Sequence, residues 1–531
     1  MIDFFSIKEL EALIDDIYNE LQINKTILSV HNFYEESGAE PLDFFDRKLA
    51  HGFGIACGAH IQLAQHLCAS YIGGARYFEL KPISKKSNYA EISRHQDIDI
   101  TREYIKSYFL IKFLAKEFGF GDPDGFIFNL SLGNTIDEII NTDISILLDA
   151  SECEYFKECR EVFIKNINRF KNIDENFINS IPSNIIQSIT INPDMGINHL
   201  EIIDASKKVI DKYRVPTYLK LYPTLIDYSR CLDILSKIGF VSVIPDREAF
   251  DSTPNLDEAV EIVTSLKEYS NKLDVYFAIK LSNTLHCNLE NRDGQGSHIH
   301  LSGKALLPIS LSSIEALLNR VYIDISYSGG VDKYNVKELL EAGLFPVTAA
   351  TLVLKPSGYD GLEEVANQAE NVEVIGKADL RKIQNIINRL LDNPQLESCK
   401  VDLDKRNKDP FVVLSNASKN CTILCKHCIG VRTNMADGMI ELINSQVLID
   451  ECTFCSNCQF FSLEPSIRFK KKITLFDSLE DLNNSTEMGF YIHDDGTYTF
   501  RLNEVDRCSY DSLPLEIKEN IQELRKNSLD I

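Results

Sequence analysis

The sequence predicts an α/β chain: a (β/α)8 TIM barrel followed by a small cysteine-rich module. Three observations predict it. From residue 50 onward a short apolar or β-branched run, a polar or glycine cluster and an amphipathic helix recur in that order. The alternation spreads over roughly 300 residues, which suits a closed barrel better than one open sheet. Six of the 14 cysteines then crowd into two short runs, "CTILCKHCIG" and "ECTFCSNCQF".

The segment 1–48 opens with "MIDFFSIKELEALIDDIYNEL", an acidic amphipathic helix. It has neither the basic start nor the apolar core of a signal peptide. No run reaches about 18 uninterrupted apolar residues, the length of a membrane span. A cytoplasmic location is therefore expected. In a reducing compartment cysteines serve as thiols or metal ligands rather than disulfides. The scattered Cys57, Cys68, Cys153, Cys159, Cys231, Cys287, Cys399 and Cys508 read as small buried hydrophobes.

The barrel is placed at 49–360. Its candidate strands are "FGIAC" (53–57), "RYFELK" (76–81), "FIFNLSL" (126–132), "SITIN" (188–192), "TYLKLY" (217–222), "FVSVI" (240–244), "VYFAIKL" (275–281), "IDISYS" (323–328) and "PVTAAT" (346–351). Continuous apolar runs suit parallel strands covered on both faces. Helices such as "IQLAQHLCASYI", "YSRCLDILSKIG" and "LDEAVEIVTSLKEYSNKL" separate them. These are nine candidates for the eight places of a barrel, so one lies outside. A helical linker, 361–414, carries "GLEEVANQAENVEV" and "KADLRKIQNIINRLLDN" and ends in the charged "KVDLDKRNKDP". The cysteine module occupies 415–468. An acidic extension, 469–531, contains "GFYIHDDGTYTFRL", a hairpin turning at "DDGT".

With 44% hydrophobic residues, 29 Phe and 21 Tyr, the chain can bury a large core. Its net charge of −24 repels phosphate backbones and anionic bilayers, which argues against nucleic-acid and membrane partners. No glycine-rich dinucleotide or P-loop motif follows a strand, so no nicotinamide or ATP domain is expected.

A barrel carries its chemistry at the C-terminal ends of its strands. There the sequence places Lys81, Asn129 with Ser131, Asn192, Lys220, Lys280 with Asn283 and Thr284, and then Gly329 and Gly330. A lysine ending an apolar strand is costly to bury without a partner. Three of them point to an anionic or electron-rich ligand in the mouth; the alternative is that they snorkel to solvent at the rim. The pair Gly329–Gly330, just before a helix, would let backbone amides approach a phosphate, and fits a plain tight turn equally well. "TLVLKPSGYDGL" follows the last strand, where barrels often complete such a site.

The segments "CGAHIQLAQHLCASYIGGARYFELKPI", "GFIFNLSLG", "YLKLYPTLIDYSRCLDILSKIGF", "FAIKLSNTL", "SGKALLPISL" and "ISYSGGVDKYNVKELLEAGLFPVTAATLVLKPSGY" together resemble the selenate reductase subunit family. The barrel of that family is similar to the FMN-binding barrel of dihydroorotate dehydrogenase and dihydropyrimidine dehydrogenase. The likeness runs from about residue 20 to 360, and then through the cysteine module and tail. It implies that Ala56 and Gly58 lie along a flavin and that Lys81 and Lys220 approach its ring, where positive charge stabilises a reduced, anionic form. It further implies that Asn129, Asn283 and Thr284 face flavin or substrate, and that Gly329, Gly330, Ala350 and Thr351 hold the FMN phosphate. Lys280 receives no role.

Departures accompany the likeness. "INPDMGINHLE" stands where the family has a glycine–cysteine–proline run, and "SKKSNYAEISRHQDIDI" where it has an acidic loop with cysteine. Those cysteines would move a proton in a hydride step. Asp194, His199 and His95 are the titratable residues nearby in sequence. "IACGAH" also replaces a proline-containing run.

The cysteine runs resemble a two-cluster ferredoxin-like module, each lacking its fourth ligand. Cys421, Cys425 and Cys428 are followed by Arg432 and Thr433; Cys452, Cys455 and Cys458 by Ser462 and Leu463. In such modules the fourth cysteine of each run ligates the other cluster, so the losses are reciprocal. Three readings are open: iron–sulfur clusters on three cysteines each, a zinc site such as Cys425, Cys428, Cys452 and Cys455, or no metal. His427 could enter a zinc shell or be a solvated loop residue.

The resemblance thus implies an oxidoreductase subunit. FMN would sit in the barrel, iron–sulfur clusters would receive electrons from a redox partner protein, and the substrate would be a small molecule of the purine- or pyrimidine-type heterocycle class. A second reading is a non-catalytic paralogue acting in assembly or regulation. A third, a hydrolase or lyase barrel with a zinc-stapled appendage, needs a metal or base constellation that the barrel segment does not offer, since "HIH" (298–300) falls in an insertion.

Overall fold

The computed structural model describes residues 7–23, 25–58, 61–83, 99–238, 243–289, 297–350, 352–354, 358–370, 372, 377–392, 474–476, 478–484, 489–493, 498–501 and 507–509. Eight parallel strands close into a barrel: β1 (Phe53–Ala56), β2 (Tyr77–Leu80), β3 (Ile127–Leu132), β4 (Ser188–Ile191), β5 (Thr217–Leu221), β6 (Phe277–Leu281), β7 (Ile325–Ser328) and β8 (Leu344–Ala349). Their order around the barrel is their order in the chain, with β8 returning to β1.

Eight of the nine candidate runs are these strands. The ninth, 240–244, is the outsider. Its described end forms part of Val243–Pro245, which pairs antiparallel with Leu285–Leu289, itself antiparallel to Ser297–Leu301. Two of its strands, Leu285–Leu289 and Ser297–Leu301, are inserted directly after β6 and include the "HIH" segment, while Val243–Pro245 lies between β5 and β6.

The helices are built where apolar spacing and caps coincide. Asp99 caps Ile100–Phe118 through its side chain, and Gly119 ends that helix at φ 80°, in the left-handed region that glycine tolerates. Thr135, Asn198 and Asn255 each form a capping box with a glutamate three residues on. The N-terminal helix is Leu10–Ile23, and its Leu13, Ile14 and Ile17 are wholly buried in the main core. The helices Gly361–Ala369 and Leu380–Asp392 bury Leu362, Val365, Ile383 and Ile387 in that same core. In the extension, Gly489–Ile492 and Tyr498–Arg501 pair antiparallel, as the hairpin reading expects.

The bottom of the barrel is closed by aromatic rings. A hairpin, Leu42–Phe44 with Arg47–Leu49, precedes β1. It presents Phe44 and Phe45, whose stacked rings lie 3.9 Å apart. Phe44 meets Phe345 edge-on at 4.7 Å, and Phe45 meets Tyr276 at 5.1 Å and Tyr218 at 6.3 Å. Gly54, on the neighbouring β1, is dictated by space: a Cβ there would sit 1.9 Å from the Tyr77 carbonyl oxygen.

Above this plug the interior is polar. The strands are not the uniformly apolar runs the sequence suggested. Positions two apart on each strand share a face, and the inward set includes Glu79, Asn129, Ser188, Thr190, Lys220, Lys280, Ser326 and Thr348. The outward partners, such as Phe78, Leu130, Ile189, Leu219 and Ile279, are wholly buried against the helices. Barrel interiors are usually filled by branched apolar side chains, so this layer is a departure that needs a chemical reason.

Candidate functional site

Four strands converge on one carboxylate. Glu79 on β2 forms an ion pair with Lys280 on β6 and accepts a hydrogen bond from the Thr348 hydroxyl on β8. Lys280 Nζ also donates to Ser326 Oγ on β7 at 3.0 Å and approaches Thr348 Oγ1 at 3.4 Å. The Ser326 hydroxyl in turn donates a hydrogen bond to the Pro346 carbonyl at 3.0 Å. Lys280 is 1% exposed and Glu79 6%. Both charges are thus out of water, and each is satisfied by the other and by hydroxyls.

On the opposite wall, Asn129 on β3 is fully buried, and each end of its amide is engaged. Its Nδ2 donates to Ser188 Oγ at 2.8 Å, and Thr190 Oγ1 donates to its Oδ1 at 2.6 Å. Asn129 therefore lies beneath the mouth and braces it.

Lys220 and Lys81 stand at the mouth itself, both partly open to solvent. Lys220 is in register with Lys280 across β5 and β6. Burial first, then the neighbouring charge of Lys81, pull the Lys220 amine down to about 7; Glu79 opposes this and Lys280 adds to it. Burial would raise the Glu79 carboxyl, but Lys280 and Lys220, with the hydrogen bonds from Lys280 and Thr348, outweigh it and hold the group below the ordinary carboxylate range. Burial pulls Lys280 below the usual lysine range, and the contact with Glu79 resists that. Lys280 and Lys220 thus share the Glu79 carboxylate. Cys57, at the end of β1, is buried; burial pushes its thiol well up, so it remains a thiol.

The sign of the Lys220 shift has a consequence for stability. Its folded value lies below that of the unfolded chain, so between about 7 and the usual lysine range the unfolded state binds the extra proton. Stability from this group therefore rises with pH across that window. Lys220→Met removes the effect. Wild type is expected to gain about 1 kcal/mol over the variant between pH 6.5 and 8.5, a figure discounted for the amine's partial exposure. Urea unfolding at the two pH values measures it, and an unchanged difference refutes it.

The rim carries a chain of amides. Asn192 Nδ2, after β4, donates to Asn134 Oδ1 at 3.3 Å, and Asn283 Nδ2, after β6, donates to Asn192 Oδ1 at 3.4 Å. Asn283 Oδ1 accepts from the Thr284 backbone N–H at 3.0 Å. After β7, Gly329 and Gly330 have φ of 147° and 71°, and both carbonyls are tied back, to the Tyr327 hydroxyl at 2.7 Å and Asn335 Nδ2 at 2.9 Å. Ala56, Gly58 and Ala350 end β1 and β8 on the same rim, each half-buried. Thr351 lies outside the described residues, as do His95 and all six clustered cysteines, Cys421, Cys425, Cys428, Cys452, Cys455 and Cys458.

The sequence reading identified Lys81, Lys220 and the rim amides, and the structure brings these together. It missed Glu79, Ser326 and Thr348, and left Lys280 without a role. The signal was present in the period-two placement of polar residues in "YFELK", "YLKL", "FAIKL" and "ISYS". Of the proton-transfer alternatives, Asp194 is exposed at the rim, with its carboxyl raised by partial burial and by Glu138. His199 is turned to the outer wall, where Glu258 and Glu261 lie 3.2 and 3.4 Å from its ring nitrogens. Among the described residues no group of three His, Cys, Asp or Glu could hold a metal ion, and no helix is long and apolar enough to cross a membrane. Cys57, Cys68, Cys153, Cys159, Cys231 and Cys287 are all free thiols.

The architecture defines a (β/α)8 barrel closed at the bottom, with an opening lined by lysines and amides at the C-terminal ends of its strands. Residues 28–96 and 88–398 match the family described as "Oxidoreductase YgfK, N-terminal TIM-barrel domain", and the chain belongs to that family. A relative from Escherichia coli (strain K12), described as "Putative oxidoreductase YgfK", is 27% identical over 404 residues, and the same values hold for the protein from Escherichia coli O157:H7. The match covers 69% of this chain, which spans 39% of the length of these relatives. Among solved structures, the Amycolatopsis orientalis BexX/CysO complex aligns over 62% of this chain and 93% of its own, at 10% identity and a TM-score of 0.30. The 4-hydroxy-tetrahydrodipicolinate synthase of Methylacidiphilum fumariolicum SolV aligns over 67% and 84%, at 10% identity and a TM-score of 0.25.

Proposed function

We propose that this chain is an FMN-dependent oxidoreductase subunit, with the flavin held in the barrel mouth. The observation that carries the reading is the pair of strand-end amines, Lys220 and Lys280, beside the one carboxylate among the described residues that acts on both, Glu79. Glu79 is in direct contact with Lys280, so the Lys220 amine at the mouth suits an anionic ligand. Membership in a family named for an oxidoreductase supports the same reading.

Lys81 and Lys220 would lie beside the flavin ring, where their charge favours an electron-rich ligand. The amides of Gly329, Gly330, Ala350 and Thr351 would take the phosphate, and Ala56 and Gly58 leave room along the ring. Asn283, Thr284 and Asn192 would line the side open to a small heterocyclic substrate. FMN, when bound, supplies hydride and single-electron chemistry. The chain's own contribution is to place positive charge, to fix the ring between glycine-bearing strand ends and to exclude water from below.

The cysteine runs at Cys421, Cys425, Cys428 and Cys452, Cys455, Cys458 would carry iron–sulfur clusters fed by a redox partner, with zinc as the other occupant of these thiolates. A second reading, a non-catalytic assembly or regulatory paralogue, is favoured by His199, which the glutamates hold on the outer wall and which is therefore no proton donor to the mouth.

The absorption spectrum of protein purified without oxygen tests the proposal. Bands near about 375 and 450 nm over a broad shoulder are expected for flavin with iron–sulfur. Flavin bands alone would place zinc or no metal on the cysteines. A flat spectrum from folded protein overturns the reading in favour of the paralogue.

A further inference from the structure

We propose that Glu79 and Lys280 are positioning residues for Lys220: their buried ion pair beneath the mouth fixes the charge carried by that amine, and so the pH range in which the mouth accepts an anion. The inference deepens the flavin reading of the same mouth, but neither its argument nor its test needs a flavin to be bound.

The geometry is specific. Lys220 and Lys280 are adjacent in register on β5 and β6. Glu79 reaches across the barrel from β2 to Lys280, and Thr348 on β8 and Ser326 on β7 lock the pair. The charged groups that act on Lys220 are Glu79 and Lys81 from β2 and Lys280 from β6. From β1, Cys57 faces Lys81 and Glu79 as an uncharged thiol. The walls β3 and β4 present the neutral Asn129, Ser188 and Thr190. Among the described residues Glu79 is thus the negative group that acts on Lys220, and it is committed to Lys280 by direct contact. Its influence on Lys220 acts through space.

Opposing variants separate this role from a merely structural one. Removing the carboxylate leaves Lys280 as an uncompensated cation beside Lys220 and disfavours a second positive charge. Removing Lys280 leaves the carboxylate and favours that charge. Removing both returns the pair's net charge to its original value. A residue that only held the fold together would not shift the midpoint in opposite directions.

The experiment is competitive trace acetylation of the purified full chain with acetic anhydride between pH 5.5 and 10. Mass spectrometry reads the Lys220 peptide. In wild type, Lys220 is expected to reach half-maximal reactivity near neutral pH, well below the surface lysines. Glu79→Gln is expected to move that midpoint down, and Lys280→Met up, each by about one unit, a tenfold change in the neutral fraction. The double variant should fall near wild type. If a single variant does not fold, Glu79→Gln is compared in a Lys81→Met background, where one fewer cation crowds the cluster, and the same downward step is expected. Equal midpoints in all variants overturn the proposal. So does a Lys220 that never reacts, because the amine would then not face the mouth. Loss of flavin with the shifts intact would instead strike only the cofactor assignment.

Discussion

Lys280→Met is expected to destabilise the barrel by about 3–5 kcal/mol, because breaking a buried pair leaves a charge with no compensation. The side chain is 1% exposed, and its amine is the ionic partner of Glu79 as well as a donor to Ser326 and Thr348. Without it Glu79 keeps the Thr348 hydrogen bond and the more distant charge of Lys220. The pH dependence follows from the depressed Glu79 carboxyl. The stability it contributes in wild type is present above the ordinary carboxylate range and is lost as pH falls through it. The penalty of Lys280→Met should therefore shrink as pH falls below the ordinary carboxylate range. Glu79→Gln combined with Lys280→Met should recover most of the loss, since removing both members of a buried pair costs far less than removing one. Urea unfolding of the three variants decides it. A single variant as stable as wild type would mean that the pair is not charged.

Gly329→Val should weaken FMN binding at least tenfold while affecting riboflavin much less. Gly329 has φ 147°, a region that a β-branched residue enters at a cost of about 1–3 kcal/mol. A Cβ there would also lie 3.1 Å from the Tyr327 hydroxyl, which holds the Gly329 carbonyl. The backbone must shift, and in the flavin reading it is this backbone that meets the phosphate. The relaxed backbone must regain this conformation to meet the phosphate, so the cost falls on binding, where every 1.4 kcal/mol is a tenfold change in affinity. Flavin fluorescence titration against both ligands measures it, with thermal unfolding as the control for folding. A variant that folds and retains the full preference for FMN over riboflavin would remove Gly329 from phosphate recognition.

The strands were legible because their apolar outward faces are strong local signals. The inner layer was harder for a physical reason. Glu79, Lys280 and Thr348 are far apart in sequence, and only barrel closure makes them neighbours. A lysine seen alone in "FAIKL" has no visible partner, and the glutamate in "YFELK" reads as one polar residue in an apolar run. The ninth run, "FVSVI", failed as a barrel strand for a different reason. A short apolar run does not reveal its partner, and part of this one pairs antiparallel with the insertion after β6. The rim amides, by contrast, follow directly from strand ends, so Asn192 and Asn283 were in view from the start.

Among the described residues, the aromatic plug closes the foot of the barrel and leaves the rim as its opening. Phe44, Phe45, Tyr276 and Phe345 seal the lower end, and the helices wrap the sides. Whatever reaches Lys220 must descend from the rim, and a proton leaving that amine must climb out the same way. Ligand traffic and proton traffic therefore share a single gateway. An occupant seated across it acts as a stopper, and a proton taken up beneath waits until the stopper lifts.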